Sequence, residues 1–355
     1  MADKVKVLVV GVGIMGRSHA LAYHRLDGFE LVGLMSPNIG SRELPEELQG
    51  YPQFTDFDEA MAATTPDAVS INSYTDTHKE YAIKSFNANC HVFLEKPLAV
   101  TLEDAKEIID TAKAKNRKLI VGYILRVHPA WKEFISQARQ LGTPLVMRMN
   151  LNQQSKGPAW NTHRNMMKDH TPLIDCGVHY VDVMCQMTDA KPVRVHGIGA
   201  ALSDKVPVQN YGHMHIEFDD GSVGWYEAGW GPMMSEVAFF VKDVVGPKGH
   251  VSIVPKTGAE AASSDDVDGH TKTNALLVHS SELDENDNFV NEDRWISMAD
   301  EPGHDELCQR EQELFLEAIV KDLDVTDLMD SAYNTFRLTM AADQSIREGR
   351  VVDVS

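Results

Sequence analysis

No stretch of this 355-residue chain approaches the roughly twenty consecutive apolar residues that cross a bilayer, so no membrane-spanning helix is expected. Cysteine is scarce. Cys90, Cys176, Cys185 and Cys308 include no CxxC pair, so they form neither a disulfide framework nor a zinc site. No metal is expected, and a reducing cytoplasm is the simplest home. Positive charge is also in deficit: Lys+Arg is 33 against 53 Asp+Glu, a formal net charge of −20. Such a surface repels phosphate backbones and anionic lipid, which argues against nucleic acid or membrane partners. An anionic cofactor then needs a locally favourable pocket. Lys4 and Lys6 before an apolar run, with Ser18-His19-Ala20 after it, loosely imitate a secretion signal. Cleavage there would delete glycines that have another use, so a signal peptide is not expected.

The length exceeds what one compact core usually holds, and two domains are expected, 1–125 and 126–355. In the first, short apolar strands at Val5–Val10, Leu31–Met35, Ala68–Asn72, Val92–Leu94 and Leu119–Tyr123 alternate with helical stretches. One of those helices opens at Thr101, with Asp104 placed as in a capping box. This alternation predicts a parallel, doubly wound α/β sheet. After about residue 125 the pattern changes. Helices are expected at Pro129–Leu141 and Asp175–Met187. Strands follow at Met147–Leu151, Val193–Gly197, His213–Phe218, Val223–Glu227, Val237–Lys242 and His250–Val254. This is an α+β domain with a large, mostly antiparallel open sheet and one helical face. The acidic stretch Thr257–Asp293 reads as a long exposed loop. Helices are expected again at Asp305–Lys321 and Ser331–Glu348.

Gly11, Gly13 and Gly16 form GxGxxG between a strand and a helix, with Ile14 and Met15 inside the turn. The first glycine permits the tight turn, the second lets a diphosphate approach the backbone, and the third lets helix pack on strand. The helix N-terminus then offers free N–H groups to the anion. NAD-binding folds usually carry an acid after the second strand. Here Leu34-Met35-Ser36-Pro37-Asn38 contains none, and Ser36 with Arg42 suits a 2′-phosphate. A solvated loop charge at Arg42 explains the same residues. Glu95-Lys96-Pro97 ends a strand at the carboxyl edge of the sheet, where ligands bind in this architecture. Asp175, His179 and Asp182 are spaced to share one helix face, where an aspartate can orient an imidazole for proton transfer. A capping Asp beside a core His has the same spacing. His213, His215 and Glu217 imitate a metal site, and an exposed sheet face explains that pattern equally.

Together these motifs resemble the glucose–fructose oxidoreductase and inositol dehydrogenase family. The likeness rests on the glycine turn, on Ser73-Tyr74-Thr75 followed by His78, on Glu95-Lys96-Pro97, on Asp175-Cys176-Gly177-Val178-His179 and on the C-terminal Glu348-Gly349-Arg350-Val351. The resemblance implies a Rossmann domain and an α/β domain packed into homodimers or homotetramers through its sheet. It implies hydride transfer between a nicotinamide, NADP(H) in preference to NAD(H), and a secondary alcohol or ketone of a sugar or cyclitol. Carried over, Lys96 polarises the reacting hydroxyl, His179 is the acid/base, and Asp175 supports both. The glycine-turn residues, Ser36, Arg42, Ser73, Thr75, His78, Glu95 and Lys96 would bind cofactor. Arg126, His128, Trp160, Asn161 and Arg164 would line the substrate pocket. One departure bears on substrate shape: His170-Thr171-Pro172-Leu173 stands where the family often has paired glycines. The alternatives are an NAD-using glycosidase of the same fold and a non-catalytic dinucleotide sensor. A sensor would need neither a proton acceptor nor the lysine.

Overall fold

The computed structural model of the chain describes residues 4–235, 240–254 and 271–355. The chain divides into two compact units, Met1–Ile124 with His304–Asn334, and Leu125–Gly303 with Thr335–Ser355. The sequence suggested two consecutive blocks. Instead the chain returns to its first unit after building most of its second.

The first unit holds strands β1 (Val5–Val10), β2 (Phe29–Met35), β3 (Gln53–Phe54), β4 (Ala68–Ile71), β5 (His91–Leu94) and β6 (Leu119–Val121). They form one sheet in the order β3-β2-β1-β4-β5-β6, with every pairing parallel. Helices α1 (Ile14–Arg25), α2 (Phe57–Thr64), α3 (His78–Asn87) and α4 (Leu102–Ala114) connect the strands. Val7, Leu8, Val9 and Val10 at the centre are all buried, which requires cover on both faces and explains the unbroken apolar run. Asp56 and Thr101 cap α2 and α4, each accepting a backbone N–H from three residues on. The order reverses between β1 and β4, the switch point where such sheets bind ligands.

The second unit begins with α5 (Pro129–Arg139) and β7 (Val146–Gln154), followed by α6 (Gly157–Met166), α7 (Pro172–Asp175) and α8 (Gly177–Met187). Strands β8 (Pro192–Ala200), β9 (Tyr211–Phe218), β10 (Val223–Gly231), β11 (Lys242–Gly246), β12 (Gly249–Val254), β13 (Ala275–Ser280) and β14 (Arg294–Ser297) follow. The order is β14-β13-β12-β11-β7-β10-β9-β8-β15, where β15 is Val352–Asp353 near the C-terminus. Among the described residues of this sheet, only β7 and β10 pair in parallel. Trp131 of α5 meets Tyr180 of α8, and Tyr180 stacks on Tyr226 of the sheet. The opposite face carries exposed Val146, Val223 and Val245, side by side in register. Lys242 is buried on β11, donates to the Asn150 carbonyl at 3.0 Å, and lies 3.9 Å from the Phe240 ring centroid. Burial pulls its amine down to about 7.

Helix α9 (His304–Val320) then rejoins the first unit, and the boundary between the units falls within α10 (Thr326–Glu348). Leu316 of α9 sits over Gly28, where a Cβ would meet its Cδ2 at 2.3 Å, and Phe315 packs near Phe29 and Phe93.

Three further sequence expectations are corrected. The strand expected at Val237–Lys242 runs Lys242–Gly246 instead, and residues 236–239 lie outside the described residues. The acidic 257–293 stretch is not wholly loop. Residues 255–270 lie outside the described residues, but β13 pairs antiparallel with β12 through Ala275–Ser280. Its short apolar run was masked by the acidic composition around it. The single helix expected from Asp175 is broken at Cys176 into α7 and α8. There Gly177 lets the chain approach the sheet, since a Cβ would meet Tyr226 at 3.2 Å.

Candidate active site

The glycine turn lies at the switch point. Gly11 has φ +84°, a left-handed conformation that favours glycine. A Cβ on it would sit 2.6 Å from the Asn72 carbonyl carbon and 2.7 Å from Ser73 N. A Cβ on Gly16 would fall 1.9 Å from the Gly11 oxygen. Gly13, by contrast, faces open space within 4 Å, and as N-cap of α1 it supplies no side-chain acceptor. The two outer glycines are required by packing. The middle one leaves the helix N-terminus bare, which fits a diphosphate. Ile14 is exposed and Met15 half-buried beside it.

At the end of β2, buried Ser36 donates to Asn38 Oδ1 at 3.0 Å, and exposed Arg42 donates to the same oxygen through Nε at 2.9 Å. Asn38 thus draws together the hydroxyl and the cation that the sequence singled out. At the end of β4, Ser73 Oγ meets Thr77 Oγ1 at 2.6 Å, and Thr75 opens a short 3-10 turn. His78 is fully buried. Its Nδ1 lies 2.9 Å from the Pro97 carbonyl and its Nε2 3.1 Å from the Ser73 carbonyl. It therefore ties the Ser73 turn to the Lys96-Pro97 turn, whose peptide is cis, rather than presenting its ring outward. Lys96 is half-buried. Glu95 is buried, with its carboxylate bonded to His19 and to the Lys96 N–H, so its side chain points into the core.

In the second unit Asp175 closes α7, buried, and His179 lies half-buried in the first turn of α8. Asp182 does not serve with them. Arg126 binds its carboxylate in bidentate fashion, with Nε 2.8 Å from Oδ2, and Gln186 also donates to it. The Arg126 guanidinium is thereby committed to a protein partner. His128 is sealed from solvent and caps α5, accepting from Ala130 N at 3.2 Å, with Glu301 3.8 Å from its Nε2. It acts on the helix, where the sequence suggested a pocket lining. Helix α6 carries buried Trp160, exposed Asn161 and half-buried Arg164. Arg164 donates to Asn161 and lies over the Trp160 ring.

Sequence reasoning missed a neighbouring group. Gln153 Oε1 accepts from Trp230 Nε1 and lies 3.5 Å from Cys176 Sγ, while the His163 ring stacks on Trp230 at 4.3 Å. The signal was the length of β7. The expected strand stopped at Leu151, before these residues. The His213 and His215 rings sit 5.6 Å apart on β9, but their ligand atoms and those of Glu217 do not converge. Among the described residues the potential metal-ligand group is His19, Cys308 and Glu311.

Residues 5–123 match an oxidoreductase family with an NAD-binding Rossmann fold, and residues 132–251 match the GFO/IDH/MocA C-terminal domain. The chain is similar to D-glucoside 3-dehydrogenase of Escherichia coli, 25% identical over 72% of this chain and 78% of that protein. It is also similar to scyllo-inositol 2-dehydrogenase (NAD(+)) of Bacillus subtilis, 28% identical over 64% of this chain and 68% of that one. A solved structure of scyllo-inositol dehydrogenase from Lactobacillus casei, with NAD(H) and scyllo-inositol, shares the fold. Its TM-score is 0.72 over 99% of both chains, at 19% identity.

Proposed function

The chain belongs to the GFO/IDH/MocA family of oxidoreductases with an NAD-binding Rossmann fold, and on that premise we propose that it interconverts a secondary alcohol and a ketone on an uncharged sugar or cyclitol. The observation that carries this reading is the placement of Lys96. It follows β5 at the carboxyl edge of the sheet, two strands from the bare Gly13 turn, on a corner that His78 ties to Ser73. Relatives named for a glucoside and an inositol support the substrate class.

A bound nicotinamide supplies the two-electron acceptor. The diphosphate would lie over the Gly11–Gly16 turn and the N-terminus of α1. Lys96, cationic, favours the developing alkoxide. His179 takes the hydroxyl proton in oxidation and returns it in reduction, and Asp175 orients it. Because Arg126 is spent on Asp182, it is not free for a substrate phosphate, which favours an uncharged polyol. The net charge of −20 acts in the same direction.

The test follows absorbance of reduced cofactor against inositols, aldoses and keto-sugars. His179→Ala and Lys96→Ala are each expected to lower kcat by about 10²-fold or more, the usual scale for positioned proton transfer, with cofactor affinity changed far less. Near-wild-type turnover by both variants would overturn the assignment.

The Ser36–Asn38–Arg42 cluster supports a preference for NADP(H) over NAD(H). Ser36→Asp should then favour NAD, because a carboxylate repels the 2′-phosphate. A wild-type enzyme that already turns over faster with NAD contradicts the preference. The exposed valine row on the sheet supports a homodimer or homotetramer built through that face.

A further inference from the structure

Beneath the Lys96 corner runs a directed chain of buried hydrogen bonds, all within the first unit. Tyr23 of α1 donates its hydroxyl to Gln312 Oε1 of α9. That fixes the amide, so Gln312 Nε2 faces His19 Nδ1 at 2.9 Å and donates to it. With Nδ1 accepting, the ring proton of a neutral His19 sits on Nε2, which points at Glu95 Oε1 at 2.7 Å. The other oxygen of Glu95 accepts the backbone N–H of Lys96 at 3.0 Å. Gly122 leaves room for the carboxylate, since a Cβ there would press on it at 3.3 Å. The His19 ring is itself held against Phe93, centroids 4.7 Å apart.

Beside this chain, the potential ligand atoms of His19, Cys308 and Glu311 lie within 4.8 Å of one another.

We propose that His19 is a positioning residue for Lys96, acting through Glu95. The inference rests on the catalytic reading of Lys96. His19 holds one oxygen of Glu95, which aims the other at the Lys96 backbone N–H. Without the imidazole the carboxylate can turn, and the Lys96 corner loosens.

The experiment measures kcat, KM and cofactor Kd for the full-length enzyme and three variants. His19→Ala should lower kcat about tenfold or more near neutral pH, the scale of a small misplacement of a catalytic group, and leave cofactor Kd nearly unchanged. His19→Gln keeps an N–H donor for Glu95 and should recover most of that loss. Lys96→Ala separates the two levels. If it retains turnover, the reading of the site fails. If it is inactive while His19→Ala turns over like wild type, only the positioning role fails. The proposal is also overturned if His19→Gln is as impaired as His19→Ala. Stoichiometric zinc in the purified protein, lost in Cys308→Ser, overturns it as well, because His19 would then serve a cation. Should His19→Ala fail to fold, His19→Asn, whose shorter amide does not reach Glu95, decides in its place, with the same loss expected and wild-type turnover overturning the role.

Discussion

Lys242 has a charge that the fold resists. It is buried on β11 with aromatic rings beside it and, among the described residues, no carboxylate partner. Desolvation takes its amine from the ordinary 10.5 to about 7. Above about 7 the folded protein holds it neutral, while the unfolded chain stays protonated up to about 10.5. Unfolding in that window takes up a proton, so stability rises with pH from about 7 toward 10.5 and is lowest, as far as this group decides, below 7. Urea midpoints measured across that window should climb in the wild type and flatten in Lys242→Met. An unchanged slope in the variant would remove Lys242 as the cause. At this scale the sequence was legible where backbone geometry dictates the residue type. Gly11 and Gly16 are glycines because nothing else fits. It was not legible where one residue type serves two purposes. Arg126 and His128 have the chemistry of pocket residues, yet one is bound by Asp182 and the other caps a helix.

Elements follow local signals closely where those signals are strong. The Thr101 cap, the central apolar strands and the strand–helix alternation of residues 5–121 all emerge from spacing alone. The break at Cys176 does not, because helical periodicity continues through it. At the break Gly177 lies close against Tyr226, some fifty residues away in the chain, where a Cβ would crowd the ring. Strands also reveal their partners' faces only after pairing. Val146, Val223 and Val245 look unremarkable one at a time, but the registers of β7 with β10 and β11 align them as one exposed apolar row. Val146→Glu places a charge at its centre, where desolvating it in an interface is costly. Light scattering should show the wild-type oligomer and a shift to monomer in this variant. A variant that keeps the wild-type mass would show that assembly uses another surface.

At the scale of the whole molecule, the fold class of each unit was readable and the path of the chain was not. Helix α9 is amphipathic, and an apolar face does not say which sheet it will cover. That it returns to the first unit is decided by shape: the space over Gly28, the ring of Phe29, and the polar partners Tyr23 and His19. The same return hid the network under Lys96. His19 and Gln312 are 293 positions apart, and no motif links them. This closure also orders events during synthesis. When Ile124 leaves the ribosome, one side of its sheet still lacks the helix that will cover it. That helix, His304–Val320, follows at roughly 5–20 residues per second, an interval of about ten to forty seconds. Until then the nascent dinucleotide-binding unit carries an uncovered apolar flank, and the second unit must be threaded out before the first can finish folding.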